Sequence, residues 1–273
     1  MIQTMQKPSK IRSALVMMDL IYHSAVRDIR KTHRNAMVGL IMSIVQTLVF
    51  IAAFYLMFSI IGARGASLRG DFLLYLMSGI FLFLTHTKAL SAVIKSEGPA
   101  SPMMQHAPLN TVITISAAAI SSLYIQILTL VVVLFLYHVI FTPIVINDPL
   151  GAIGMVLLSW FSGLAIGMML LAVKPWAPDF VMLVSTIYSR ANMVASGKMF
   201  VANSLPASLL PFFDWNPLFH TIDQARGFVF LNYHPHNSSV IYPVLVSVAL
   251  IMIGMMGEFY TRRNVSASWS ATR

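Results

Sequence analysis

The chain has 273 residues, 58% of them hydrophobic and 10% charged, with a mean hydropathy of +0.78, no cysteine and a formal net charge of +9. Soluble domains carry about a quarter charged residues, so this composition excludes a water-soluble globular protein and reads as an integral membrane protein. The cations border apolar runs instead of covering a polar domain, which points to membrane orientation and away from nucleic acid; the missing cysteine excludes disulfides, thiolate metal sites and a cysteine nucleophile.

The first ten residues, MIQTMQKPSK, are polar and lack the apolar core and cleavage site of a signal peptide, so the first span is expected to act as its own targeting signal. Residues 11–35 carry two stripes at helical spacing, Ile11, Leu15, Met18, Tyr22, Ala25 and Ile29 on one, Arg12, Asp19, His23, Arg27, Arg30 and Arg34 on the other. They predict an amphipathic helix lying in the headgroup layer, its cations toward anionic lipid or a partner. The basic segment RDIRKTHRNAM then runs into residues 37–61, which hold no charge. At about 1.5 Å per residue a helix there is long enough for a hydrocarbon core of about 30 Å. Arg27, Arg30, Lys31 and Arg34, immediately before this span, should stay cytoplasmic.

A polar turn, GARGASLRGD, precedes a second apolar run at 72–94 with His86 and Lys88 near its end. The following segment, KSEGPASPMMQHAPLN, is rich in proline, glycine and polar residues and predicts a cytoplasmic loop or broken helix. A third run covers 111–141, and Asn147, Asp148 and Pro149 mark a turn. The fourth, 151–173, contains Gly163 and Gly167 in a GxxxG pair, which permits close helix approach, and ends at KPWAPD, whose prolines stop a helix. A fifth run at 180–200 is interrupted by Arg190 and Lys198. Residues 201–239 are too polar and proline-broken for one straight span and predict re-entrant or surface helices on the outer side. A last run, 240–259, precedes Arg262 and Arg263. Six spans with both termini inside place twelve Lys/Arg on the cytoplasmic side against Arg64, Arg69 and Arg226 outside. The expected architecture is all-α, one polytopic membrane domain over 1–273, with six transmembrane helices, an N-terminal amphipathic interfacial helix and short re-entrant helices before the last span.

Catalytic and energy-coupling motifs are missing. There is no GxxxxGK[ST] phosphate loop, no HExxH and no GxSxG. His234 and His236 in HPH lack neighbouring carboxylate or thiolate ligands, so no metal site is expected. The apolar runs hold no acid except Glu258 at the end of the last, which disfavours proton-coupled transport. A partner that hydrolyses ATP is the economical source of driving force.

Three stretches carry a family resemblance: RDIRKTHRNAMVGLIMSIVQTLVF near the N-terminus, SGKMF followed by LP at 196–206, and WNPLFHTIDQARGFVFLNY at 215–233. The chain resembles, over nearly its whole length, ABC transporter permeases that export capsular polysaccharide, O-antigen or teichoic acid. The likeness is most specific at Trp215, Asn216, Pro217 and Leu218 with His220 and Arg226. The chain departs from it at Gln46-Thr47, where a proline is often found, and at Asp223, where a glutamate is usual. The resemblance implies a homodimer in the cytoplasmic (inner) membrane around a translocation path for a lipid-linked polysaccharide. Two copies of a separate cytoplasmic ABC ATPase would use ATP and Mg beneath it, and this chain would bind no cofactor and catalyse nothing itself.

On that reading residues 95–108 form the coupling element, with Glu97, Gly98 and His106 as contacts to the ATPase. Arg27, Arg30, Lys31 and Arg34 suit the diphosphate of a polyprenyl-linked glycan, because guanidinium groups grip phosphate oxygens bidentately; plain attraction to anionic phospholipid is the simpler alternative. Sugars stack on aromatic rings, so Tyr75, Phe81 and Trp160, with Lys88 and Arg190, are candidates for the path. Trp215, Asn216, Pro217, His220 and Arg226 form an outer re-entrant motif that either narrows the exit or anchors a helix at the interface. Other readings stand beside this one: a related lipid or drug exporter, an intramembrane glycan- or lipid-modifying enzyme, which needs a cluster of polar groups at one membrane face, and a channel or scaffold.

Overall fold

The computed structural model describes residues 10–32, 36–61, 71–96, 98 and 111–264, and all regular structure among them is helical. Arg34, Glu97, His106 and the side chain of Lys31 lie outside what is described. The helices are α1 (Lys10–Thr32), α2 (Ala36–Ile61), α3 (Phe72–Lys95), α4 (Thr111–Ile140), α5 (Pro149–Val173), α6 (Pro178–Ala195), α7 (Pro217–Val229) and α8 (Ile241–Asn264). Two single 3-10 turns, Ala202–Ser204 and Leu210–Phe212, lie between α6 and α7.

Their starts follow from the polar residues that punctuate the apolar runs. Asp71 accepts from the Leu73 amide at 2.9 Å, and Asp148 from Leu150 and Gly151 at 3.1 and 3.0 Å with Pro149 in the first turn. Asn216 does the same for α7, accepting from Leu218 N at 3.0 Å ahead of Pro217. Each side chain satisfies an amide that the first helical turn leaves without a partner.

Five helices are long and apolar enough to cross a membrane: Met37–Ile61, Phe72–Lys95, Thr111–Ile140, Pro149–Val173 and Ile241–Asn264. The expected fifth run, 180–200, departs from this pattern. Its helix, α6, has 18 residues, spanning about 27 Å. It stops at Ala195 because Gly197 takes φ +75°, the left-handed conformation that ends helices and that glycine adopts at little cost. The expected six apolar spans are therefore five long apolar helices and one shorter, more polar one among the described residues.

α3 is the axis of the bundle. It is buried on every side from Leu74 to His86, and α2, α4, α5 and α7 all pack against it. A helix apolar all round with no outward stripe has to be enclosed in this way. The α3–α5 crossing is close because of the glycine pair. A Cβ on Gly163 would run into the carbonyl oxygen of His86, and one on Gly167 would come within 2.9 Å of Val93 Cβ. Ser159 Oγ donates to Leu82 O at 2.7 Å, and His86, fully buried, donates from Nδ1 to Ser162 Oγ at 2.9 Å while Nε2 accepts from Tyr188 of α6 at 2.9 Å. By contrast α2, α4 and α8 bury one side and leave Ile41, Val45, Phe135, Val139, Leu245 and Met252 open, as lipid-facing helices do.

Hydrogen bonds define the two ends of the bundle. At one, Lys174 Nζ reaches Ile94 O at 2.7 Å and Trp176 Nε1 reaches Thr261 Oγ1 at 3.0 Å, which gathers Lys95, Lys174, Arg262 and Arg263. At the other, Asp71 accepts from Tyr137 and from Thr142 Oγ1, and the Asp148 amide donates to Phe228 O at 2.8 Å. Four cations gathered at one end, against the buried Lys198 and Arg226 toward the other, is a bias of the kind that orients membrane proteins. The Gly163→Leu variant is expected to destabilise the protein by about 3 kcal/mol or more through overpacking at the crossing. Gly154→Ala, where a Cβ meets nothing within 4 Å, is expected to be neutral or stabilising by up to about 1 kcal/mol. Thermal unfolding in detergent micelles reads both.

Candidate functional site

The densest polar cluster lies at the end opposite Lys95, Lys174, Arg262 and Arg263, where the chain leaves α6 and returns as α7. The turn Ser196-Gly197-Lys198-Met199-Phe200 lies on α3 at Gly79, where an added Cβ would sit 2.8 Å from Lys198 Cβ. Its carbonyls are gathered by Arg226, which is 1% exposed on α7: Nη1 donates to Gly197 O at 2.9 Å and Phe200 O at 2.6 Å, and Nη2 to Lys198 O at 2.8 Å. The guanidinium lies 4.2 Å over the Tyr75 ring. A planar fork with several donors can hold three carbonyls at once in a way an ammonium cannot.

Lys198 itself is 2% exposed and points among aromatic rings. Its Nζ is 3.5 Å from the Phe83 centroid, 4.8 Å from Phe50 and 4.9 Å from Phe54, with no hydrogen-bond partner among the described residues. The ring faces supply the electrostatic attraction that water would give elsewhere.

α7 is fastened on all sides. Asn216 Nδ2 donates to Asn192 Oδ1 at 2.7 Å and Ala195 O at 3.1 Å, tying its start to the end of α6. His220 accepts from the Ser239 amide at Nδ1 (3.0 Å) and donates from Nε2 to Asp214 O (2.6 Å), so its proton sits on Nε2. Asp223, buried, accepts from Ser238 Oγ at 2.6 Å and from the Tyr233 hydroxyl. Burial first and then the adjacent Asp223 carboxylate push the Tyr233 phenol well above its ordinary range, so it stays a donor at any physiological pH. Trp215 is exposed, its indole turned back onto Phe212 O at 2.8 Å.

A second polar region lies toward the basic end, between α1, α2, α3 and α4. A cavity of about 290 Å³ is lined there by Lys88, Lys95, Gln46 and Gln126 among others, and Lys88 Nζ donates to Gln46 Oε1 at 2.5 Å. Arg27 and Arg30 are exposed on α1, while Asp28 and Ile29 between them line the cavity. Gly98 sits against Leu171, 3.5 Å from where its Cβ would be.

The remaining candidates are scattered. Phe81 is buried in the core and lines an apolar cavity of about 310 Å³ between α3, α4, α5 and α7. Half-buried Trp160 donates to Ala119 O at 2.9 Å, and Arg190 is exposed on α6. The structure thus brings Tyr75, Asn216, Pro217, His220 and Arg226 into one block and leaves Arg27, Arg30 and Lys88 at the opposite end. Sequence reasoning passed over the aromatic cage of Lys198 and the Asp223–Tyr233–Ser238 group. The cage left one trace, the i,i+4 spacing of Phe50 and Phe54 on α2.

Among the described residues no three His, Asp or Glu side chains converge as a metal site would need. No protein-family model matches the sequence, and no curated protein matches it significantly.

Replacing Arg226 by lysine is expected to cost about 3 kcal/mol or more, because it strands buried carbonyls. Lys198→Met, which removes a buried cation but keeps its bulk, is expected to be neutral or stabilising by about 1–4 kcal/mol. Unfolding midpoints of the two variants in one detergent give the contrast.

Proposed function

We propose that this chain is the membrane-spanning permease subunit of an ATP-driven exporter of lipid-linked cell-surface polysaccharide. The observation that carries the reading is α7. It has 13 residues, ten of them buried, spans only about 20 Å, and is pinned at the end of the bundle opposite Lys95, Lys174, Arg262 and Arg263. A short polar helix folded into an apolar bundle needs enclosure by protein or a water-filled path, since its surroundings must satisfy its polar groups. This suits a re-entrant element that narrows an outer exit, as the resemblance of Trp215–Arg226 implies.

On this reading α6 and the turn at 196–200 together complete a sixth crossing. Both termini and the basic end face the cytoplasm, in the inner membrane. The segment 95–108 meets a separate ABC ATPase, which consumes ATP and Mg, and two copies of the chain enclose the path. α6 supports the dimer, since of its residues only Val181 and Asn192 are buried and Phe180, Leu183, Ile187 and Val194 lie open. Arg27 and Arg30, exposed on α1 next to the basic end, suit the cargo's diphosphate. The bundle itself supplies enclosure and orientation, and the work comes from the partner.

The cysteine-free chain makes topology directly testable. A membrane-impermeant maleimide is expected to label Ser239→Cys in intact cells and Lys95→Cys only after permeabilisation; the opposite pattern would invert the orientation. Deletion of the chain is expected to leave lipid-linked polymer inside the cell, and the tagged chain to co-purify with an ATPase. Transport by the purified chain alone, or normal surface polymer in its absence, would remove the reading.

A further inference from the structure

The cavity between α1, α2, α3 and α4 is built in a way that apolar spans do not require. Three helices each turn a polar stripe toward it at helical spacing: Ser43 and Gln46 on α2, Lys88, Ser91 and Lys95 on α3, Ser122 and Gln126 on α4. Polar side chains within spans are costly and turn toward a cavity or a partner. Gln126 is the most telling. It is 4% exposed, lines the cavity, and its amide makes no hydrogen bond to any described residue. Lys88 spends one of its three donors on Gln46. Lys95 adds a second cation at the mouth, and Asp28, the acid among the described lining residues, is already engaged in an interaction of its own.

Two cations and an amide with unused donors converge on a space of about 290 Å³, several times the roughly 30 Å³ that a water occupies. The cavity lies in the half of the bundle that ends in Lys95, Lys174, Arg262 and Arg263, next to the amphipathic helix α1, so its level matches that of lipid headgroups. We propose that this cavity binds a phosphate group, with Lys88 and Lys95 as its cations and Gln126 as its neutral donor. The geometry and depth make an anionic membrane lipid its natural source. The proposal holds whatever the chain transports.

The test uses the full chain reconstituted from phosphatidylcholine vesicles doped with phosphatidic acid, extracted, and read by native mass spectrometry for retained lipid. The wild type is expected to keep phosphatidic acid in preference to phosphatidylcholine. Lys88→Met is expected to reduce that retention roughly tenfold, the loss of one charge-assisted hydrogen bond. Lys95→Ala, at an exposed position that folding tolerates, and Gln126→Leu are expected to reduce it several-fold. Arg263→Ala, a cation at the same end but outside the cavity, is expected to leave it unchanged. Competition by inorganic phosphate would identify the free anion as sufficient, and failure to compete would assign the site to the lipid. Equal retention by the three cavity variants, equal loss in Arg263→Ala, or no preference over phosphatidylcholine would each overturn the proposal.

Discussion

A helix that stops inside an apolar bundle leaves its last carbonyls with nothing to accept from, and in such surroundings each unmet group costs several kcal/mol. Here α6 stops at Ala195, and the carbonyls of Gly197, Lys198 and Phe200 are met by the single guanidinium of Arg226. That one side chain allows the chain to turn back at depth. It also sets where α7 must lie, since the Arg226 fork reaches those carbonyls only with the helix wedged beside Tyr75 and Gly79 of α3. The burial of Asp223 three residues earlier, on the same face, puts a carboxylate near the guanidinium, and Tyr233 and Ser238 satisfy its oxygens. Removing Tyr233 or Ser238 leaves one oxygen of the buried carboxylate without its donor, and removing Arg226 strands three buried carbonyls.

The two polar regions meet on one helix. α3 carries Tyr75 and Gly79 under the Arg226 turn and, nine and sixteen residues beyond Gly79, Lys88 and Lys95 at the other cavity. Between them it is enclosed, locked to α5 by the Gly163 contact and the His86–Ser162 bond. A close-packed interior responds to displacement as a body. Lys88 and Gly79 therefore keep a fixed separation of about 13 Å along the axis.

The long apolar helices were legible to within a few residues. Runs at 37–61, 72–94, 111–141, 151–173 and 240–259 correspond to Ala36–Ile61, Phe72–Lys95, Thr111–Ile140, Pro149–Val173 and Ile241–Asn264, because length and hydropathy decide such helices and Asp, Asn and Pro punctuate them. The end of α6 was not legible. Hydropathy averages across Ser196 and Gly197, and the left-handed turn at Gly197 that ends the helix is held by Arg226, some thirty residues later, which receives the carbonyls beyond it. Lys198 reads in sequence as a cation within a span; its cage comes from Phe50, Phe54 and Phe83, on helices distant in the chain. The stripe of Lys88, Ser91 and Lys95 was present as i, i+3, i+7 spacing, but its partners Gln46 and Gln126 acquire meaning only once α2 and α4 are set beside α3.

α6 is held differently from α3, and the difference follows from what each buries. α3 buries its whole circumference, whereas α6 is tied to the body by the Tyr188–His86 and Asn192–Asn216 bonds and by one small apolar contact, Val181 and Val184 against Leu90, Ile94 and Leu170, while Phe180, Leu183, Ile187 and Val194 face outward. Two neutral hydrogen bonds, each worth about 1 kcal/mol net, and one small apolar cluster are a modest tether beside the packing that fixes α3. Compliance in this fold is therefore concentrated in α6, next to the one turn that a single arginine keeps closed. Rigidity lies in the helix that turn rests upon.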